Sequence, residues 1–188
     1  MIVELAAPLV LASASPRRSE LLGRVGLDFE VRPADIDETP LPDEAPTDYV
    51  RRLSSEKAAA VGRADEVVIA ADTTVEVDGQ ILEKPLDDSD ARRMLRLLSG
   101  RSHQAHTGVT VSKGGVIETF VVSTTVTFVD LISEMIDWYI GTGEADGKAG
   151  AYGIQGAAAA LVERVDGSVT NVIGLPLAET IAALARIA

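Results

Sequence analysis

The chain has 188 residues, with 17 Lys and Arg against 29 Asp and Glu and no Cys, so its formal net charge is −12. This length is typical of one domain with a buried core, and we predict a single domain over residues 1–188. The absence of Cys excludes disulfides, thiolate nucleophiles and Cys-based metal sites. The acidic balance disfavours nucleic acid as a partner, because phosphate backbones are held by Lys and Arg.

The first half of the chain predicts strands and helices in alternation. An apolar run over Pro8–Ser13 indicates a buried strand, and Ser15-Pro16 after it is typical of a helix start, with proline at the first helical position. The elements predicted next are a helix over Arg17–Val25, a strand over Leu27–Pro33, a loop over Asp35–Asp48 ending at an N-cap near Thr47, a helix over Asp48–Val61 and a β-branched run over Glu66–Ala71.

The second half predicts hairpins, a glycine-rich loop and a terminal helix. Asp78-Gly79 suits the type I′ turn of a hairpin between Thr73–Val77 and Ile81–Glu83. Six glycines between Gly141 and Gly156 are typical of a loop whose backbone approaches a ligand closely. The remaining predicted elements are helices over Ser89–Leu98, Ser133–Ile140 and Pro176–Ala188, and strands over Ala105–Ser112, Val116–Asp130 and Ala157–Val165. This order of elements is that of a mixed α/β domain.

The N-terminal residues carry no recognisable targeting signal. Glu4 stands where a signal peptide has positive charge, and no apolar run approaches the ~20 residues that a membrane-spanning helix needs. We therefore expect a cytoplasmic protein without a membrane partner.

A first candidate site lies where the first predicted strand meets the first predicted helix. A helix N-terminus presents unpaired backbone N–H groups and the positive end of the helix dipole, so it can hold an anion. Ser13 and Ser15 add hydroxyls there. Arg17 and Arg18 add guanidiniums, each of which can bind two phosphate oxygens at once. A capped helix with solvated arginines is the competing interpretation, and composition alone leaves both open.

A second candidate is the aspartate that closes the apolar run Glu66–Ala71. Asp72 stands at the predicted carboxyl end of a strand, where α/β sheets place ligand groups. Its carboxylate could activate water as a general base or bind a hard cation such as Mg²⁺. The alternative is an aspartate that only caps a turn.

Further charged residues are weaker candidates when each is taken alone. Lys57 on the second predicted helix and Lys84 after the hairpin would supply positive charge to a polyphosphate, and Glu38 in an acidic run could hold a metal ion. Each is equally typical of a solvated face. We interpret His103 and His106 as structural or surface residues.

Several uncommon strings occur in a fixed order along nearly the whole chain. They include LASASPRR at Leu11–Arg18, ADT at Ala71–Thr73, LEKP at Leu82–Pro85 and DGKAGAYGIQG at Asp146–Gly156. In this order they resemble the Maf family of nucleoside triphosphate pyrophosphatases. The chain departs from the family pattern at Gly147, which stands between an aspartate and a lysine that family members commonly have side by side.

The resemblance implies both a fold and an activity. The implied fold is an elongated mixed α/β sheet flanked by helices, in two lobes with a cleft, similar to the inosine triphosphatase architecture. The implied reaction is hydrolysis of a nucleoside triphosphate to the monophosphate and pyrophosphate, with a divalent cation, Mg²⁺ or Mn²⁺. The resemblance also implies a cytoplasmic homodimer that cleans the nucleotide pool, with a link to arrest of cell division and septum formation.

The resemblance also assigns roles to individual residues. Asp72 matches the proton acceptor, and Arg17, Thr73 and Gln155 match three specificity positions whose combination resembles the branch acting on dTTP and UTP. The predicted metal ligands are Glu38 and Asp72. The predicted phosphate ligands are Ser13, Ser15, Arg18, Lys57, Lys84 and Lys148.

Three alternatives stay open at this point. A pyrophosphatase for 7-methyl-GTP or another modified nucleotide would share the fold and the chemistry. A non-catalytic regulator of septum formation would bind the nucleotide without cleaving it. A nucleotidyl or sugar-phosphate transferase would need a second substrate.

Overall fold

A computed structural model describes residues 3–187. The strands are β1 (Leu9–Leu11), β2 (Glu30–Val31), β3 (Val67–Val77), β4 (Gln80–Leu82), β5 (Ser102–Lys113), β6 (Val116–Phe128) and β7 (Val162–Asp166). The α-helices are α1 (Pro16–Arg24), α2 (Pro46–Val61), α3 (Asp88–Leu98), α4 (Ser133–Ile140), α5 (Val169–Ile173) and α6 (Leu177–Ile187). Short 3₁₀ helices cover Ala149–Ala151 and Ala157–Leu161.

The strands form one mixed sheet flanked by helices. Their order is β2-β1-β3-β5-β6-β7, and β4 pairs with β3 off this path. Strand β1 runs parallel to both β2 and β3, with Leu9 opposite Val67, whereas the β3–β4 and β6–β7 pairs are antiparallel. Parallel and antiparallel pairs in one sheet, connected through helices, confirm the predicted mixed α/β class.

The chain divides into two compact units. Among the described residues, the first unit comprises residues 3–72, 107–122 and 174–187, and the second comprises 73–106 and 123–173. Within the first unit, Val10 of β1 and Val68 and Ala70 of β3 pack in one apolar cluster with Ala58 of α2. This cluster holds α2 against the segment of β3 that leads to Asp72.

The second unit has a larger apolar core. Helix α3 contributes Met94, Leu95 and Leu98, and these pack with Phe128 of β6 and Tyr139 of α4. The apolar positions of α3 recur at spacings of three and four residues, which places them on one face of the helix. The same core includes Tyr152, so the glycine-rich segment between α4 and β7 is tied to it.

Local turn chemistry predicted several boundaries correctly. The Asp78-Gly79 hairpin forms as expected, because both residues adopt positive φ, 54° and 78°. Helix α4 has the predicted bounds. None of the helices described over residues 3–187 has the length and apolar content of a membrane span.

Other predicted elements were wrong. Helix α2 begins at Pro46 with Ala45 as N-cap, not near Thr47, because proline at the first helical position already has a helical φ. Only Glu30–Val31 of the predicted strand Leu27–Pro33 is a strand. The first part of the predicted strand Ala157–Val165 is a 3₁₀ helix, since alanine disfavours extended backbone. Helix α5 was not predicted, and Ala188, in the predicted terminal helix, lies outside the described residues.

Candidate active site

Asp72 lies inside β3, so the prediction that a strand ends there was wrong. Strand β3 continues to Val77, because the residues after Asp72 pair with β4 in the hairpin. The parallel pairing with β1, however, covers only Val67–Ile69 of β3. Asp72 therefore lies within β3, just past the part that pairs in parallel with β1.

Lys57 brings the two candidate metal ligands together. Its Nζ lies 2.6 Å from Asp72 Oδ1 and 2.6 Å from Glu38 Oε1. The side chains of Lys57 and Asp72 are only 9% and 11% exposed, whereas that of Glu38 is 43% exposed. Burial of a charge is costly unless the charge is paired, and Lys57 pairs with both carboxylates. We call Glu38, Lys57 and Asp72 the Lys57 cluster.

Helix α2 determines where this cluster forms. Its buried positions include Val50, Leu53, Lys57 and Ala58, which share one helical face, so the apolar face of the helix carries Lys57 inward. The hydroxyl of Tyr49, on the same helix, donates to the carbonyl of Glu38 at 2.9 Å. The acidic segment around Glu38 is thus held by α2, and it is not a freely solvated loop.

A second ion pair on α2 strengthens this hold. Arg52 Nε and Nη2 donate to the two carboxylate oxygens of Glu44 at 2.7 and 2.8 Å. Arg52 Nη2 also donates to the carbonyl of Thr39 at 3.2 Å, one residue past Glu38. A bidentate arginine–carboxylate pair has restricted geometry, so it limits the movement of the segment that carries Glu38.

The N-terminus of α1 presents the predicted group of serines and arginines, and Arg18 is buried there. Arg18 Nε donates to the carbonyl of Gly174 at 2.8 Å, and its Nη1 donates to Ser13 Oγ at 2.9 Å. Ser13 Oγ also accepts the N–H of Ser15 at 3.2 Å. Ser15 is the N-cap residue, but its hydroxyl makes no capping bond. Arg18 therefore organises this turn as well as adding charge to it.

The electrostatics connect α1 with the Lys57 cluster. Burial lowers the pKa of Arg18, while the carboxylates of Asp72 and Glu38 act in the opposite direction and Arg17 adds to the lowering. Burial also lowers the pKa of Arg17. No carboxylate within residues 3–187 forms an ion pair with Arg17, so its charge is available to an anion. Seven of the predicted residues thus lie together in the first unit: Ser13, Ser15, Arg17, Arg18, Glu38, Lys57 and Asp72.

The other predicted residues belong to the second unit. Thr73 follows Asp72 in β3 and is half-buried, and Lys84 is exposed after β4. The ammonium of Lys148 donates to the carbonyl of Glu144. Gln155 is exposed in the turn that precedes the 3₁₀ helix Ala157–Leu161.

Sequence analysis missed a buried polar group next to this turn. His103 Nε2 is hydrogen-bonded to the hydroxyl of Tyr152 at 2.9 Å, and both side chains are nearly fully buried. Burial, with a smaller contribution from Arg101, lowers the pKa of His103 to about 4, and burial raises the pKa of Tyr152. His103 is therefore a structural residue, one of the two interpretations made from the sequence. Its pairing with Tyr152 could not be predicted, because 49 residues separate the two in the sequence.

The carboxylates of the Lys57 cluster are oxygen ligands of the kind that hard divalent cations bind. Because the oxygens of Asp72 and Glu38 each lie 2.6 Å from one nitrogen, they are about 5 Å apart at most. Mg²⁺ is commonly held by one or two carboxylates together with phosphate oxygens and water. Residues 3–187 contain no group of three or more His, Cys, Asp or Glu that could hold a metal ion without such help.

The chain is similar to known proteins along most of its length. The family model described as Maf-like protein matches residues 8–187. A dTTP/UTP pyrophosphatase of Anaeromyxobacter dehalogenans (strain 2CP-C) is 58% identical over 95% of this chain and 93% of its own length. Proteins of the same name from Sphingopyxis alaskensis and Geobacter sulfurreducens are 53% and 50% identical, each over 95% of this chain and 96% of its own length.

Among solved structures, the chain is similar to the Ham1 protein of Staphylococcus aureus. The TM-score is 0.47 at 19% identity, over 65% of this chain and 72% of the other. The family match and the identities of 50–58% along nearly the whole sequence establish that the chain belongs to the family of Maf-like proteins.

Proposed function

We propose that the chain hydrolyses nucleoside triphosphates, chiefly dTTP and UTP, to the monophosphate and pyrophosphate. The observation that carries the proposal is the Lys57 cluster, in which a buried ammonium holds two carboxylates beside the arginines of α1. The relatives that are named dTTP/UTP pyrophosphatase support the choice of substrate.

Asp72 is the residue we assign as general base. Its carboxylate takes a proton from water, the water oxygen bonds to the α-phosphorus, and the bond from that phosphorus to the α–β bridging oxygen breaks. The electron pair of that bond leaves with pyrophosphate. The ion pair with Lys57 holds the Asp72 carboxylate in place, with Oδ1 2.6 Å from the lysine Nζ.

Lys57 also has the capacity to bind a phosphate oxygen. An ammonium has three N–H donors, and within residues 3–187 Asp72 and Glu38 account for two of them. The third donor, together with Arg17 and Arg18, would offset the charge of the triphosphate. Local cations are needed, because the net charge of −12 repels an anionic substrate at long range.

A divalent cation would be held by Glu38 and Asp72. When bound, Mg²⁺ or Mn²⁺ would neutralise part of the phosphate charge and orient the chain of phosphates. Ser13, Ser15, Lys84 and Lys148 are proposed as further phosphate ligands on the resemblance.

Gln155, Thr73 and Arg17 are the residues we assign to substrate choice. A glutamine amide offers one acceptor and two donors, so it can pair with the donor and acceptor of a uracil or thymine edge. Cytosine presents an amino donor where uracil and thymine present a carbonyl acceptor. Discrimination therefore requires the amide of Gln155 to be held in one orientation.

The test is pyrophosphate release from dTTP, UTP, CTP, GTP, ATP and 7-methyl-GTP, with Mg²⁺ and with a chelator. We expect metal-dependent release from dTTP and UTP. Release mainly from 7-methyl-GTP would contradict the choice of substrate and keep the reaction. Nucleotide binding without release would favour the regulator of septum formation instead.

The cellular and quaternary parts of the resemblance stay predictions. They are a cytoplasmic location, a homodimer and a link to septum formation. Light scattering of the purified chain at several concentrations tests the homodimer directly, since a monomeric mass throughout would contradict it.

A further inference from the structure

Gln155 occupies the third position of a four-residue turn, residues 153–156, which we call the Gln155 turn. The N–H of Gly156 donates to the carbonyl of Gly153 at 3.0 Å and closes it. The Gln155 side chain is exposed, and its Oε1 lies near Gly153: a Cβ built on that glycine would be 3.6 Å away. The direction of the amide therefore depends on how firmly the turn itself is held.

Tyr139 holds the start of the turn. This tyrosine is fully buried on α4, and its hydroxyl oxygen accepts the N–H of Gly153 at 3.1 Å. The aliphatic part of Lys148 packs against the same glycine, since a Cβ there would lie 2.8 Å from Lys148 Cε. Any side chain at position 153 would meet Lys148, so the turn sits closely on its supports.

Glu144 holds the end of the turn. Its Oε2 accepts the N–H of Ala157 at 2.9 Å, at the first residue of the 3₁₀ helix. The carboxylate also lies directly against Gly156, where a Cβ would be 2.0 Å from Oε2 and 2.9 Å from Oε1. The glycine at position 156 thus makes the room that Glu144 needs to reach the backbone.

We propose that Glu144 and Tyr139 are positioning residues for pyrimidine choice, holding the Gln155 turn by one backbone hydrogen bond on each side of Gln155. The inference rests on the proposed function, because it assumes that the Gln155 amide contacts the base of the substrate. Without either hydrogen bond the turn is more mobile. The Gln155 amide can then adopt two orientations, in which its donor and acceptor exchange places. Uracil and cytosine would be distinguished less well.

The experiment compares kcat/KM for UTP and CTP in four variants. Glu144→Ala removes the acceptor, and we expect the UTP-to-CTP ratio to fall about three- to tenfold, the size of the net contribution of one typical hydrogen bond. Tyr139→Phe removes the other acceptor and is expected to act in the same direction. Glu144→Gln keeps an acceptor oxygen and should restore most of the ratio. Glu163→Ala, an exposed glutamate of β7, is the matched control.

Gly156→Ala tests the same contact without removing Glu144. The φ of Gly156 is −113°, outside the left-handed region that favours glycine, so the main change is the added Cβ, 2.0 Å from Glu144 Oε2. That methyl group displaces the carboxylate, and the UTP-to-CTP ratio should fall as it does in Glu144→Ala.

The outcomes separate this inference from the proposed function. A lower melting temperature in Glu144→Ala with an unchanged UTP-to-CTP ratio would show a merely structural role and overturn the inference. A wild type that cleaves no nucleotide would overturn the proposed function. In that case, amide hydrogen exchange still tests the contact: protection at Ala157 must drop in Glu144→Ala and persist in Glu144→Gln, and unchanged exchange overturns it.

Discussion

The Lys57 cluster of the first unit and the Gln155 turn of the second unit hold their side chains in different ways: the cluster by ion pairs between side chains, the turn by hydrogen bonds to the backbone. In the cluster, buried charges fix one another, and Lys57 and Asp72 are about nine-tenths buried. In the turn, Gln155 is exposed, and the segment around it is held by backbone N–H groups that donate to the Tyr139 hydroxyl and to the Glu144 carboxylate. Charged groups that stabilise a reacting centre act most strongly where water is excluded. A side chain that recognises a base must instead be accessible to the base and have a fixed orientation.

The largest expected effect is that of removing the proposed base. Asp72→Asn should lower kcat for UTP by about 10²–10⁴, the usual contribution of a general base. The fold should persist, because the amide oxygen still accepts from Lys57 and Lys57 keeps its pair with Glu38. Pyrophosphate release and thermal unfolding measure the two properties. Asp65→Asn, an exposed aspartate of the same unit, is the control, and a wild-type kcat in Asp72→Asn would refute the assignment.

Removing the ammonium of Lys57 tests how much its ion pairs contribute to the stability of the fold. Lys57→Met leaves the buried carboxylate of Asp72 without its ammonium, and we expect the free energy of unfolding to fall by about 3–5 kcal/mol. Adding Asp72→Asn to Lys57→Met should recover part of that loss, since no buried carboxylate then lacks a partner. Urea unfolding at pH 7 measures both, with Arg51→Met on the exposed face of α2 as control. Equal stability of Lys57→Met and the wild type would contradict the prediction.

The second unit should respond to acid through a neutral buried group. Burial lowers the pKa of His103 to about 4 from 6.5, so between these pH values the unfolded chain binds a proton that the folded chain does not. The stability that neutral His103 contributes, about 3 kcal/mol by the usual conversion, is present above pH 6.5 and lost as the pH falls to about 4.

The measurement is the difference in unfolding free energy between pH 7 and pH 4.5. His103→Gln should make that difference smaller than in the wild type by most of this amount. His106→Gln is the matched control. Burial also lowers the pKa of His106, but Glu76 acts in the opposite direction, so we expect this substitution to change the acid sensitivity less. An acid sensitivity that is the same in His103→Gln and the wild type would refute the prediction.

The smallest expected effect concerns the exposed amide. Gln155→Ala should lower the UTP-to-CTP ratio of kcat/KM by about tenfold or less, because one neutral hydrogen bond contributes about 0.5–1.5 kcal/mol. Stability should stay unchanged, because the side chain is exposed. Steady-state kinetics with both nucleotides measure the ratio, and an unchanged ratio would remove Gln155 from the specificity positions.

Local sequence signals predicted the elements where one or two residues decide the backbone. The Asp78-Gly79 turn and the end of α2 at Gly62 are such cases, because positive φ and helix termination are properties of a few neighbouring residues. The strand predicted at Ala157–Val165 was wrong in part because a contact distant along the chain also acts there. Its first part is a 3₁₀ helix whose first backbone N–H is bound by Glu144, a contact from another part of the loop.

The sequence by itself determined the fold class, the family and the chemical identity of the charged residues, since these depend on residue type and order. Only the tertiary structure decided which of them meet. Lys57 pairs with Asp72 across 15 residues of sequence, and Arg18 reaches the carbonyl of Gly174 across 156. Such contacts depend on how helices pack against the sheet, because the energy that buries a lysine or orients a turn comes from groups distant along the chain.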